Sequence, residues 1–420
     1  MTAPVEVVTF GCRLNAAESE RIRALASEDP GNRPTIVLNT CAVTTAAERD
    51  ARRMARKLKR ERPDADIVVT GCAAQRDPGQ FAAMPEVARI VGNREKLRAE
   101  TWIAPADARV MVGDIMTPVP DSPPLPERVA ATGTRAVVEA QQGCDHRCTF
   151  CIIPFTRGPS RSEPLGALAA RIAALCAAGT REVVLSGVDL ASYGQDLPGR
   201  PGLGRAVRRL LASLPQLPRL RLSSIDPAEI DDDLVTAYAA EERLMPYAHL
   251  SLQSGDDLIL KRMRRRHGRA QAIATAARLR RARPDIAFGA DLIAGFPTET
   301  ADAAAASLRI LDEMDIAFVH AFPFDPRPGT PAARMPRLPA EEVAARAAAL
   351  RVAGRARLRG HLAARIGREV DVLVESEGTG GHAADFTRVR LDHTAPGGTL
   401  LRARAVAAAE DHLIATTRAV

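Results

Sequence analysis

Gly143-Cys144-Asp145-His146-Arg147-Cys148-Thr149-Phe150-Cys151-Ile152-Ile153-Pro154 places three thiols in one short loop. The apolar pair Val137–Val138 precedes it, as a strand would, and Pro154 closes it. Thiolates converging this closely are a ligand set for a soft metal centre. No fourth cysteine stands nearby at matching spacing. A structural zinc site closes with four ligands, whereas a catalytic metal site keeps one position open for substrate. Three cysteines on a four-iron cluster leave one iron open in that sense. A zinc knuckle completed by a distant ligand, or three unrelated buried thiols, are the competing readings.

Upstream of this loop, residues 1–112 alternate short apolar runs with helical patterns, the mark of an α/β domain with a mainly parallel sheet. Val5–Phe10, Thr35–Asn39 and Asp66–Thr70 are the strand candidates, and Cys12, Cys41 and Cys72 follow them within two residues. The carboxyl ends of parallel strands share one edge, where ligands bind. The pattern therefore predicts that these cysteines meet as a second constellation, the alternative being buried core thiols. Arg49–Arg62 holds eight Lys or Arg residues against two acidic ones and reads as a basic helix. It fits phosphate binding or a solvated face. Residues 113–134 form a linker, with five prolines between Pro118 and Pro126 that exclude a helix.

Downstream, residues 135–360 alternate strands and helices. Strands are expected at Ala136–Glu139, Glu182–Leu185, Arg219–Ser223, Ala248–Leu252, Ala287–Ile293 and Phe318–Phe322. Six such units curl into a partial (β/α)6 barrel whose active site lies at the carboxyl ends of its strands. The cysteine loop follows the first strand. Ser186, Gly187, Ser223, Gln253 and Gly295 follow later ones, small or polar residues suited to contact a nucleoside cofactor. Lys261–Arg269 and Arg346–Arg365 are further basic stretches, and Cys176 lies among Ala and Leu as a core residue. From residue 361 to 420 short β segments with Gly378–Gly381 and Gly397–Gly398 as turns predict a small β-barrel.

The bulk numbers agree with this division. A chain of 420 residues, 46% hydrophobic and 26% charged, is ordinary for a soluble protein of two or three domains. Its 58 basic and 51 acidic residues leave a net +7, compatible with a polyanionic partner. No secretory leader or membrane-length apolar run is read in it, so its seven cysteines are expected to be reduced in a cytoplasm. Walker-type, dinucleotide-binding and His-Glu-x-x-His motifs are missing, which argues against NTPase, dehydrogenase and zincin chemistry.

Beyond the spacing, the residues around each cysteine resemble those of the methylthiotransferases, which are radical S-adenosylmethionine enzymes. Thr9–Asn15, Asn39–Thr44 and Gly71–Gln75 look like the segments that hold an auxiliary cluster in that family. Gly143–Ser162 looks like the radical-cluster segment, and Leu250–Gly255 and Pro326–Thr330 like further signatures. The resemblance implies an N-terminal parallel-sheet domain, a central partial barrel and a C-terminal TRAM-like barrel. It implies two [4Fe–4S] clusters, one on Cys12, Cys41 and Cys72, the other catalytic and held by Cys144, Cys148 and Cys151. The open iron of the latter would hold S-adenosylmethionine, with Phe150 near its adenine.

In such enzymes a 5′-deoxyadenosyl radical removes hydrogen from an unactivated carbon, sulfur is inserted there, and a second S-adenosylmethionine methylates it. Partners implied are tRNA at its anticodon loop, a one-electron reductant such as flavodoxin or ferredoxin, and a sulfur donor. The stretch Gly187–Gly194 and the Phe10–Asn15 start look most like the type acting on N6-threonylcarbamoyladenosine; the N6-isopentenyladenosine type is the alternative. The type acting on a ribosomal protein fits least. A reading from another class is a non-catalytic, zinc-binding RNA-recognition protein. Thr298 where the family often has Gly, and a tail that is not basic, depart from the family pattern.

Overall fold

The computed structural model describes residues 5–28, 34–103, 108–117, 134–375 and 377–417. They fall into two compact units. The first contains the described residues of 1–130 together with Gln141–Glu163 and Asp325–Ala333. Its sheet runs β1 (Val5–Thr9), β2 (Thr35–Thr40), β3 (Asp66–Gly71), β4 (Val87–Val91) and β5 (Val110–Met111), parallel and in sequence order. Alternation along each strand sends Ile36, Leu38, Ile67 and Val69 into one apolar cluster and Val7, Val37 and Val68 into another. Both faces are therefore covered, which is why these strands read as unbroken apolar runs. Strand β4 was not among the sequence candidates, because Arg89 interrupts its short run.

Strand β6 (Arg135–Gln142) starts in the second unit, while its last two residues, which pair with β7 (Arg161–Ser162), belong to the first. The second unit also carries β8 (Glu182–Gly187) and β9 (Arg219–Leu222). It continues with β10 (Tyr247–Gln253), β11 (Ala287–Ala294) and β12 (Ile316–Pro323), parallel to one another. All six expected barrel strands form. The sheet is interrupted between β9 and β10, where only the bridges Leu220↔Leu244 and Ile225↔Leu250 join them. One face of each strand enters a large core with Leu168, Ile172, Leu210, Leu279 and Ile310 of the surrounding helices. Residues of the opposite parity, such as Glu182, Arg221, His249 and Asp291, are polar. Cys176 packs half-buried against that core.

After the helix Ala340–Ala363 the chain closes a five-stranded barrel in the order β13 (Glu369–Val374), β14 (Gly380–Ala383), β15 (Arg388–Leu391), β17 (Leu413–Thr416) and β16 (Leu400–Ala408). Gly380 and Gly381, expected in a turn, lie in β14 instead. A Cβ at Gly381 would sit 1.8 Å from the Leu373 carbonyl oxygen, and one at Gly380 2.2 Å from that of Val389. These glycines serve close strand approach, a use that looks the same in sequence as a turn.

Candidate metal centre

Cys12, Cys41 and Cys72 lie just beyond the carboxyl ends of β1, β2 and β3, and within the first unit these loops come together. Gly11 (φ 89°) brings the first loop against the second: a Cβ there would be 2.8 Å from Cys41 Sγ. The Val43 amide donates to Cys41 Sγ at 3.4 Å and Asn93 Nδ2 to Cys72 Sγ at 3.6 Å. Burial pushes the Cys41 thiol up to about 11; the Val43 amide opposes this, and the neighbouring Cys72 and Cys12 reinforce it. A thiol so placed ionises when a cation arrives to bind it, the behaviour of a buried metal ligand.

The second triplet belongs to the same unit. Cys144, Cys148 and Cys151 are half-buried and outside any disulfide. The Cys151 amide turns back to the Cys148 carbonyl at 3.0 Å, and the Cys144 amide reaches the Gly158 carbonyl at 3.0 Å. Gly143 and Gly158 take positive φ where the chain doubles back, and a Cβ on Gly143 would lie 1.9 Å from the Pro159 oxygen. Phe150 is half-buried beside Cys151. Ile152 enters the apolar cluster beneath β2 and β3, which anchors the loop to the N-terminal sheet.

Arg157, at the end of this loop, is almost fully buried and binds Glu18 bidentately at 2.9 and 3.0 Å. It also donates to Asn15 Oδ1 at 2.6 Å and Gln142 Oε1 at 3.0 Å. Lys96 Nζ completes the group, 2.8 Å from Glu18 and 2.7 Å from Asn93 Oδ1. Burial works against the Glu18 carboxylate, yet Arg157 and Lys96 hold its pKa down at about 2. Burial also works against the Arg157 charge, which Cys72, Glu18 and Cys12 keep in place. Two cations against one carboxylate leave a net positive charge beside the first cysteine triplet. That charge complements an anionic, thiolate-bound cluster, so the donor set and its surroundings both fit an iron–sulfur group.

Asn15 and Arg157 stand inside motifs visible in the sequence, whereas Glu18 and Lys96 were not foreseen. Charged residues in a helix and a turn carry no local sign that the fold will bury them. The Pro326–Thr330 stretch also finds a place in this unit. Asp325 accepts from the Thr45 amide and hydroxyl at 2.6 and 2.7 Å, and buried Arg327 pairs with Glu48, itself bound to Arg76 at 2.8 Å.

The remaining expected cofactor residues lie in the second unit. Ser186, Gly187 and Ser223 stand at the ends of β8 and β9, and Gln253 ends β10 with φ 69°. The Ser223 hydroxyl is buried without a hydrogen-bond partner among the described residues. Gly295 differs from these. Its amide donates to Glu299 Oε2 at 2.9 Å, and a Cβ there would meet Val343 at 2.6 Å. Its glycine thus serves packing onto the helix Ala340–Ala363.

Known proteins resemble this chain. Residues 138–311 match the radical SAM superfamily and residues 4–92 the uncharacterized protein family UPF0004. The threonylcarbamoyladenosine tRNA methylthiotransferase MtaB of Rickettsia prowazekii is 44% identical over 97% of this chain and 96% of its own. A tRNA-2-methylthio-N(6)-dimethylallyladenosine synthase of Cereibacter sphaeroides is 38% identical over 89% of this chain and 87% of its own. Among solved structures, the radical S-adenosylmethionine methyltransferase TsrM of Kitasatospora setae superposes with a TM-score of 0.58 at 16% identity, covering 79% of this chain and 77% of that one, a likeness of fold. At 44% identity to a near-full-length relative, and with the radical SAM match over residues 138–311, the chain belongs to the radical S-adenosylmethionine tRNA methylthiotransferases.

Proposed function

We propose that this enzyme converts N6-threonylcarbamoyladenosine next to the anticodon of tRNA to its 2-methylthio derivative. The carrying observation is the near-full-length similarity to a methylthiotransferase named for that nucleoside, in a chain that gathers two cysteine triplets in one unit. Cys144, Cys148 and Cys151 would hold the cluster that binds S-adenosylmethionine, and Cys12, Cys41 and Cys72 the auxiliary one. Together, these cofactors supply the one-electron opening of an unreactive C–H bond and the sulfur and methyl groups.

The protein's own share is placement and electrostatics. Arg157 and Lys96 keep positive charge beside the auxiliary cysteines. Ser186, Gly187, Ser223 and Gln253 are candidate contacts to S-adenosylmethionine, and Phe150 is the candidate neighbour of its adenine; Gly295 is committed to Glu299 and Val343. The exposed basic residues of the helix Thr45–Glu61 suit the tRNA backbone. A one-electron reductant such as flavodoxin or ferredoxin and a sulfur donor complete the reaction. No helix among the described residues is long and apolar enough to cross a membrane. A tRNA substrate and thiols kept out of disulfides support a cytoplasmic location.

Mass spectrometry of tRNA nucleosides from a deletion strain, with and without the gene restored, tests the reading. Loss and recovery of 2-methylthio-N6-threonylcarbamoyladenosine is the expected result. Loss of the isopentenyl analogue alone would transfer the enzyme to the other substrate type.

A further inference from the structure

On β10, β11 and β12 the face turned away from the apolar core carries a cluster that the cysteine chemistry does not use. His249, Asp291 and His320 converge there, their ligand atoms all within 4.8 Å of one another. Asp291 Oδ1 lies 3.0 Å from His249 Nε2 and 3.2 Å from His320 Nδ1. Tyr247 Oη lies 2.8 Å from His249 Nδ1. Gly289 clears the space for this pair: a Cβ there would sit 2.3 Å from the Tyr247 hydroxyl and 2.5 Å from His249 Nδ1.

Proton bookkeeping gives the cluster a direction. Burial pushes the Asp291 carboxyl up, but hydrogen bonds from His249 and His320 hold it well below the usual carboxylate range, so it is an anion that only accepts. Both imidazoles therefore donate to it. His249 is then complete, because its other nitrogen is engaged by the Tyr247 hydroxyl. His320 has one nitrogen committed to Asp291 and the other, Nε2, on a side chain 58% exposed. In its imidazolium form that nitrogen donates to an anionic oxygen. Two residues along, on the same face, Phe322 is also exposed and offers a flat apolar surface to a base.

The N6 substituents named for the two kinds of relative differ in the property this cluster reads. A threonylcarbamoyl group ends in a carboxylate and a hydroxyl, while dimethylallyl is a branched hydrocarbon. Covering polar groups with hydrocarbon costs free energy, whereas a carboxylate gains a charged hydrogen bond. We infer that His320, held in place by Asp291 and His249, binds the carboxylate of the threonylcarbamoyl group and so selects the substrate. The inference rests on the proposed substrate and assigns its recognition to a specific side chain.

The test uses the cluster-loaded enzyme with anticodon stem-loop RNAs carrying N6-threonylcarbamoyladenosine or its carboxyl methyl ester. The wild type should prefer the free carboxylate in kcat/KM by about tenfold to hundredfold. His320→Ala should lose that preference chiefly through KM, and His320→Gln, which retains a donor, should keep part of it. Equal discrimination in wild type and His320→Ala, with both turning over, overturns the inference and leaves the substrate assignment standing. Activity on dimethylallyl RNA with none on threonylcarbamoyl RNA overturns both. One bound zinc or manganese per chain, lost in His320→Ala, would replace the inference with a metal site, since two imidazoles and a carboxylate also suit such ions.

Discussion

At the scale of single residues, the group around Arg157 couples the loop of Cys144–Cys151 to the surroundings of Cys12, Cys41 and Cys72. Glu18 is the anion that lets two buried cations coexist there. Its carboxyl falls from an ordinary 4.5 to about 2 in the fold, so its ionised form contributes stability above pH 4.5. That contribution is lost as the pH drops from 4.5 through 2. Urea midpoints of wild type and Glu18→Gln should therefore differ most at neutral pH and approach one another towards pH 2. A gap independent of pH would count against the ionised pair. A second expectation concerns Cys148. Cys148→Ala should fall from about eight irons per chain to about four, and lose S-adenosylmethionine cleavage. Continued 5′-deoxyadenosine formation by that variant would refute the role given to Cys148, and zinc without sulfide in the wild type would refute both clusters.

Elements show how the meaning of a motif changes once a face is assigned. The basic stretch Arg49–Arg62 folds within the helix Thr45–Glu61 and its cap, burying Ala51, Ala55 and Leu58 at i, i+4 and i+7. Its cations then separate by role. Arg52 is bound to Gln80, Lys59 to the Pro63 and Ala65 carbonyls, and Arg62 to Glu6. Arg49, Arg56 and Arg60, with Arg53 paired to Asp50 at 2.7 Å, form an outward-facing stripe. Reversing these four charges should weaken tRNA binding and flatten its salt dependence by about 0.7–0.9 in log–log slope for each phosphate no longer neutralised. An unchanged slope, measured by filter binding across salt, would return the stripe to mere solvation. Sequence revealed this helix because its apolar spacing is local. It did not reveal that Asp325, far along the chain, caps its amino end.

At the scale of the whole molecule, the C-terminal barrel is fastened to the central strands of its own unit through one buried carboxylate. Glu182 pairs with Arg221 and Arg135, and Arg221 and Arg219 also donate to carbonyls of Ala384 and Asp371. Phe386 lies under the Arg221 guanidinium at 5.0 Å and stacks on His382 at 4.9 Å. Phe386→Ala should destabilise this junction by about 2 kcal/mol, less than a fully buried Phe would cost. Faster limited proteolysis around residues 364–368, with the central strands intact, is the expected readout. Unaltered cleavage would show that the arginines suffice.

Most strands, the main helices and the strand-end positions of Cys12, Cys41 and Cys72 follow from local patterns of apolar period, turn residues and spacing. Neighbours along the chain decide those, so they are legible in the amino-acid order. The burial of Glu18 and Lys96, the use of Gly380 and Gly381 as strand residues, the commitment of the Gly295 amide to Glu299 and the meeting of His249, Asp291 and His320 are settled by distant segments packing together. Their energies depend on which side chains the fold brings together and which it removes from water, and no local stretch of sequence contains that information.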